Sequence, residues 1–516
     1  MMKRLSLPQQ LTALAVAAVT TAAVVAPVLA VAVGIVTEGQ WTWSDLGRLI
    51  VPGGRRLTLL FNSVILSLLS AAACVLLSWF IGSFLWQTSR RYPVVTAYAA
   101  IFIWFMALVP SFVHSYTWLA VLTGDLRVSG MAASWWVQTM AWLPLCLSAV
   151  LLGFRCIDPE LVGAAQLVAT PLRVLVRVVT PLLAPALLAG GALVFLMCLQ
   201  EYSIPSLFQV STYSLEIFAD YSAHNQPGRA LILSVPVIVI SCLALAGAKP
   251  GFGHVTVTAP RSGQVVTAGF RLPLWFQTIQ YGCLIIMALQ MLLPLMLLIG
   301  TAGSGAKVAA SVLASTPEIL FSIKTALISA AIAVLIAILM TGVMSAIWQT
   351  VLIPLTVVSL CVPATLTGIG MIVLYNDSLL SPLYNTEWMP AAAAVARFGP
   401  LAWLIAAAQN RRQDYRLLEA ASLYQVSRWR LWIRIRLPLM APGLIVAGMT
   451  VFLLTIGELS ATLLVLPPGR NTLAVKTYNL LHYGASDAVA GLCLLLVVTG
   501  WLAGLAAITA LAARRR

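Results

Sequence analysis

Long apolar runs separated by short polar stretches set the pattern of this chain. The runs are Leu11–Val36, Leu57–Leu85, Val94–Leu122, Ala132–Leu152, Leu182–Leu199, Ala230–Ala248, Leu274–Gly300, Phe321–Trp348, Val351–Leu374, Met389–Ala408, Leu439–Ile456 and Ala488–Ala512. Crossing a hydrocarbon core of about 30 Å takes about 20 helical residues. Helices suit that medium because they pair their own backbone groups. The pattern predicts an all-α membrane protein with about twelve spans, six in each half. The first run follows Lys3 and Arg4 and exceeds the usual signal-peptide core of about 7–15 residues, so an uncleaved first helix is expected.

Composition narrows the class. Of 516 residues, 61% are hydrophobic and 9% charged, where soluble domains carry about 25% charge. The net charge of +15 points to a membrane orientation and not to nucleic acid, because of where the charges fall. Placing the N-terminus inside puts Arg90, Arg91, Arg155, Arg173, Arg177, Lys249, Arg261, Arg271 and the arginines between 411 and 436 in the cytoplasm, with most acids opposite. Six spans per half then leave both termini cytoplasmic and the two halves parallel. Residues 249–271, rich in Gly, Thr and Val, are too polar to span and read as a linker between modules 1–248 and 272–516. The eight cysteines are scattered without a C-x-x-C spacing and read as packing thiols, with no disulfide frame or metal site.

The polar stretches repeat. Glu419 to Pro442 reads EAASLYQVSRWRLWIRIRLPLMAP, and Val162 to Pro185 reads VGAAQLVATPLRVLVRVVTPLLAP. They superpose at a shift of 438 − 181 = 257. Gly163-Ala164 falls on Ala420-Ala421, Arg173 on Arg430, Arg177 on Arg434, Pro185 on Pro442 and Glu201 on Glu458. Unrelated residue types recurring at one offset indicate a duplicated module. Each copy forms a basic excursion between two apolar runs, 155–181 in the first half and 411–438 in the second.

Glu419-Ala420-Ala421, followed about seventeen positions later by Leu437-Pro438, resembles the EAA loop of permease subunits of bacterial ABC importers. The upstream copy is degenerate, with Val162-Gly163-Ala164, and the family's loop glycine is replaced by Val168 and Gln425. Two six-span halves in one chain, with VPSFVHSYTWL (109–119), VPATLTGIGMI (362–372), QEYSIPSLF (200–208) and GELSATLLVLPPGRNTLAVKTY (457–478), look similar to the fused iron(III) permease group. The resemblance implies a bacterial inner-membrane permease with two type I importer modules. Its implied partners are a cytoplasmic ATPase dimer carrying ATP-Mg and a periplasmic substrate-binding protein. Ferric iron or a ferric chelate is the substrate it favours, with thiamine, 2-aminoethylphosphonate or a polyamine as alternatives.

On that reading the ATPase grips Glu419, Ala420, Ala421, Arg430 and Arg434 in one loop and Gly163, Ala164, Arg173 and Arg177 in the other. The bland reading of the same arginines is anchorage on anionic headgroups. No nucleotide site is expected in the chain; GTAGSGAK (300–307) mimics a phosphate loop but lacks its Gly-Lys. Glu201 and Glu458 lie twenty residues beyond Pro181 and Pro438, about 30 Å of helix at 1.5 Å per residue. They either attract a cation such as Fe³⁺ or cap backbone N–H groups near the outer face. Arg397 sits inside a predicted span and is expected to brace the two halves, with an anionic substrate as the alternative. His114 and Tyr116 read as interfacial hydrogen-bonders, with a ligand role as the sharper possibility, and Trp41, Trp43, Trp135 and Trp136 as headgroup anchors. A rival class is an ion-gradient-driven carrier, which also uses two parallel halves but normally needs more ionisable groups at mid-membrane.

Overall fold

The structure, a computed structural model, describes residues 18, 20–37, 43–89, 91–106, 109–125, 128–257, 272–343, 358–376, 380–411, 413, 428–482 and 486–513. Among them there is no strand. The helices run in order α1 (Ala26–Thr37), α2 (Trp43–Ile50), α3 (Arg55–Thr88), α4 (Pro93–Met106), α5 (Ser111–Leu119), α6 (Gly130–Arg155), α7 (Pro159–Gln166), α8 (Pro171–Val174), α9 (Thr180–Gln200), α10 (Ser203–Leu207) and α11 (Tyr213–His224). They continue with α12 (Pro227–Val257), α13 (Leu274–Ala302), α14 (Gly305–Ala314), α15 (Thr316–Val343), α16 (Ala364–Tyr375), α17 (Trp388–Arg411), α18 (Arg428–Leu431), α19 (Leu437–Ile456), α20 (Thr462–Val465), α21 (Leu473–His482) and α22 (Ser486–Ala513).

Nine helical stretches among the described residues are long and apolar enough to cross a membrane. They cover nine of the twelve predicted runs. The other three differ for local reasons. The run 11–36 begins outside the described residues. The run 94–122 is not one helix: α4 ends at Met106 and α5 starts at Ser111. Pro110 has no N–H to give and pushes Val109 away from helical angles, so the chain restarts there, with Val113 N–H on the Pro110 carbonyl at 3.1 Å. The run 351–374 does the same at Pro363, which opens α16 with Thr367 N–H on its carbonyl at 3.1 Å; residues 351–357 lie outside the described set. At its fourteen residues, α4 spans only about 21 Å. The polar linker read at 249–271 is helical as far as Val257, as the end of α12.

The chain packs as two units whose boundaries are not those of the sequence halves. One comprises Arg56–Tyr213 and Ile240–Gly303, the other Met1–Arg55, Ser214–Val239 and Ser304–Arg516. The core of the smaller unit gathers Trp118, Val137, Met140, Ile204 and Phe208. That of the larger unit gathers Ile336, Met340, Trp403, Met440 and Leu444 between α15, α17 and α19. Small residues let backbones approach, as expected where no water drives helices together. A Cβ on Gly370 of α16 would stand 2.2 Å from the Pro27 carbonyl oxygen of α1, and one on Gly153 of α6 would stand 2.4 Å from Ala186 Cβ of α9. None of the eight cysteines forms a disulfide, and six are buried.

Candidate functional site

From residues 171 and 428 onward the duplicated stretch has the same backbone in both copies. α8 (Pro171–Val174) leads into a π-turn at Leu175–Val179 and then α9; α18 (Arg428–Leu431) leads into a π-turn at Trp432–Arg436 and then α19. The π-turns and the helices after them start at the shift read from sequence, since 432 − 175 and 437 − 180 both equal 257. Of the four π-turns among the described residues, these two fall at one register of the repeat. The cause is proline. Pro181 and Pro438 cannot donate to the carbonyl four residues back, and the helix widens so that Thr180 N–H reaches Leu175 O and Leu437 N–H reaches Trp432 O.

Both turns present arginine. Arg173, Arg177, Arg430 and Arg434 are exposed, and Val176 and Ile433, at equivalent places between them, are exposed as well. Arg436 instead turns inward, giving Nη2–H to the Thr341 carbonyl at 2.8 Å and to Asn410 Oδ1 at 3.3 Å, which ties the second turn to α15 and α17. In the first copy α7 precedes the turn. Asp158 caps it by accepting from Glu160 N–H at 3.0 Å, Pro159 opens it, and Gly163 and Ala164 lie within it, half-buried and exposed respectively. The missing glycine is not needed here. Val168 has no positive φ, and Val168 and Ala169 both donate to the Ala165 carbonyl. Glu419, Ala420, Ala421 and Gln425 lie outside the described residues.

The two glutamates occupy equivalent positions just past α9 and α19, and each organises the short helix that follows. Glu201 Oε1 accepts from Ser203 N–H at 2.9 Å and from the Ser203 hydroxyl, while Oε2 accepts from Ser111 Oγ at 3.0 Å. Glu458 Oε1 accepts from Ala461 N–H at 2.8 Å, and Oε2 pairs with Arg397. Capping is therefore the role the geometry gives both carboxylates. Arg397, read as a brace between the halves, forms its ion pair within the larger unit, joining α17 to the end of α19. Such a charge settles in a membrane protein only with a partner of this kind.

His114 also departs from expectation. It is 2% exposed, and neither ring nitrogen has a hydrogen-bond partner among the described residues, so it is no interfacial hydrogen-bonder. Tyr116 is half-buried. Trp136 packs edge-to-face on Trp118 with ring centroids 5.5 Å apart, inside the smaller unit. Among the described residues no three His, Cys, Asp or Glu side chains are grouped to hold a metal ion. The 300–307 stretch is a helix–turn–helix: Gly303 turns at φ +70°, Ser304 caps α14, and Lys307 pairs with Asp487 at 2.7 Å.

Reading the sequence missed Ser63 and Ser322. Each sits near the start of a long helix and accepts the first N–H of a helix far away in the chain. Tyr213 N–H lies 2.8 Å from Ser63 Oγ, and Leu473 N–H 2.7 Å from Ser322 Oγ. They stand at a shift of 322 − 63 = 259, two residues off the shift of 257, so the duplication read from sequence did not pair them.

The architecture is thus a multi-pass helical membrane protein built on a repeated helix–π-turn–helix unit. Residues 331–516 match the family described as binding-protein-dependent transport system inner membrane component. The matched range holds the second copy of the turn, Arg397 and Glu458; the first copy lies upstream of it. No curated protein matches the chain.

Proposed function

We propose that the chain is the transmembrane permease of an ATP-driven importer, with two modules, 1–248 and 272–516, that move against each other as an external ATPase dimer closes beneath them. The observation that carries this reading is the pair of proline-widened, arginine-bearing turns at one register, the second lying in the family-matched region. A passive anchor on headgroups needs only positive charge. Here the charges stand on a fixed π-turn with an exposed apolar side chain between them, a surface suited to a protein groove lined by carboxylates. Arg173, Arg177, Arg430 and Arg434, with Gly163, Ala164, Glu419, Ala420 and Ala421 beside them, are the proposed grip. ATP-Mg binds the partner, and a periplasmic binding protein supplies substrate at the far side of the inner membrane.

Ferric iron, which the resemblance favours, gains no support from the donor set: no group of three metal-ligating side chains assembles among the described residues. The experiment is affinity capture of the tagged chain from native membranes, followed by uptake in proteoliposomes. An ATPase should co-purify, and Arg177→Ala with Arg434→Ala should reduce its recovery at least tenfold with membrane insertion unchanged. Uptake driven by an ion gradient with no ATP would overturn the reading.

A further inference from the structure

The duplication supplies an internal control: wherever the two copies share a backbone but differ in chemistry, the difference is not required by the fold. In the second copy the buried carboxylate of Glu458 is answered by Arg397. Position 397 corresponds, at the shift of 257, to Met140 in the first copy. Glu201 therefore lacks the guanidinium its counterpart has, and no cation pairs with it among the described residues.

The surroundings of Glu201 differ in the same sense. α6 and α9 run antiparallel, with Gly153 against Ala186 and Cys146 against Gly190. Continuing that register at equal rise brings Gln138 of α6 level with residues 198–201 and Ser134 level with 202–205, at and just past the end of α9. Both are fully buried, and among the described residues neither the Ser134 hydroxyl nor either polar atom of the Gln138 amide has a partner. On α5, which is tied to Glu201 through Ser111, His114 lies one turn further on and is likewise without a hydrogen-bond partner among the described residues. The second copy holds Ala391 and Val395 at the shift of 257, and Thr367 opposite His114 at the shift of 253 that matches Pro110 with Pro363. The two aliphatic residues are buried, and Thr367 satisfies its hydroxyl on the Pro363 carbonyl at 3.4 Å. Among the described residues, α16, α17 and α20 carry no buried side-chain polar atom without a partner. Buried polar atoms without partners are rare in native proteins, and each instance calls for a ligand, a water or a role.

We infer that Glu201, with Gln138, Ser134 and His114 around it, is a substrate subsite for an organic cation of ammonium or guanidinium type. The substrate supplies in the first copy the positive charge that Arg397 supplies in the second. A carboxylate flanked by neutral amide, hydroxyl and imidazole groups satisfies both the charge and the N–H donors of such a cation. It offers too few anionic oxygens for a bare Fe³⁺ ion. The inference rests on the permease reading for why a site stands inside the membrane, but the binding itself is testable without the ATPase.

The test uses the full chain in phosphatidylethanolamine/phosphatidylglycerol nanodiscs, titrated with putrescine, agmatine and thiamine, with glucose and ferric citrate as contrasts. Tryptophan fluorescence and Tm are read together. At least one organic cation should give a saturable change, weakened at least tenfold in Glu201→Gln and in Gln138→Val, while Thr367→Val leaves it intact. Met140→Arg, which gives the first copy the second copy's cation, should abolish the response in a chain that still inserts. The inference falls if all three cations are silent, if Glu201→Gln binds as well as wild type, or if only glucose or ferric citrate registers. Silence in a chain that still captures its ATPase sinks the subsite alone; gradient-driven uptake sinks the permease reading and leaves the binding result standing.

Discussion

Arg397 shows what a charge inside an apolar run demands. Its side chain is 19% exposed, that of Glu458 4%, and the pair closes within one packing unit, with the guanidinium also 5.1 Å from the Phe398 ring centre. Removing one member of a buried pair leaves the other uncompensated, at a cost of about 3–5 kcal/mol. Arg397→Met, the residue the first copy carries, should therefore destabilise the chain by about 3 kcal/mol. Arg397→Met/Glu458→Gln should recover most of that loss, because the pair is coupled and not additive. Unfolding in mixed micelles measures both. Equal instability of the single and double variants would show that each side chain is needed for separate reasons. Nothing local in the sequence joins these residues, which stand 61 positions apart. The shift of 257 placed Glu458 beside Glu201 in the reading, but said nothing about which side chain answers each.

Among elements, hydropathy made the long helices legible, because hydrocarbon imposes length and internal hydrogen bonding on anything that crosses it. It hid the breaks at Pro110 and Pro363, since apolar residues continue on both sides and window averages cannot register one missing N–H. The π-turns were hidden for the same reason, although Pro181 and Pro438, which cause them, were the residues that fixed the repeat. The serine staples belong to this scale. Ser63 and Ser322 each satisfy the first N–H of a helix that has no intrahelical acceptor. Ser63→Ala and Ser322→Ala each leave a buried donor unpaired, for an expected loss of about 1–3 kcal/mol. The two belong to different units and share no partner, so their effects should add in the double variant. A strongly non-additive loss in thermal unfolding would mean that the equivalent staples are coupled.

Across the whole molecule, duplication explains more than span counting does. The two copies agree in backbone through the turns, the glutamates and the staples, and they diverge in side-chain chemistry where function is inferred. They also diverge where charges meet. In the larger unit Lys307 pairs with Asp487, Lys476 with Glu318, and Glu387 with both Lys324 at 2.6 Å and Arg470 at 3.1 Å, linking α14, α15, the approach to α17, the approach to α21, α21 itself and α22. Glu387 lies just outside the span that starts at Trp388. The hydrogen bond from Lys324, followed by its charge and that of Arg470, holds this carboxyl below its ordinary value of 4.5. A carboxyl depressed in the native state stabilises the fold above its unfolded value, and that contribution is lost as pH falls through the native one. Wild type should therefore outlast Glu387→Gln in thermal unfolding at every pH above about 5, with the gap closing as pH drops below 4.5. Because these groups face solvent, salt at about 1 M should narrow the gap at neutral pH as well. A difference between the two chains that stays constant from neutral to acid pH would mean that Glu387 contributes through shape alone and that the ion pairs at this end of the unit do not hold it together.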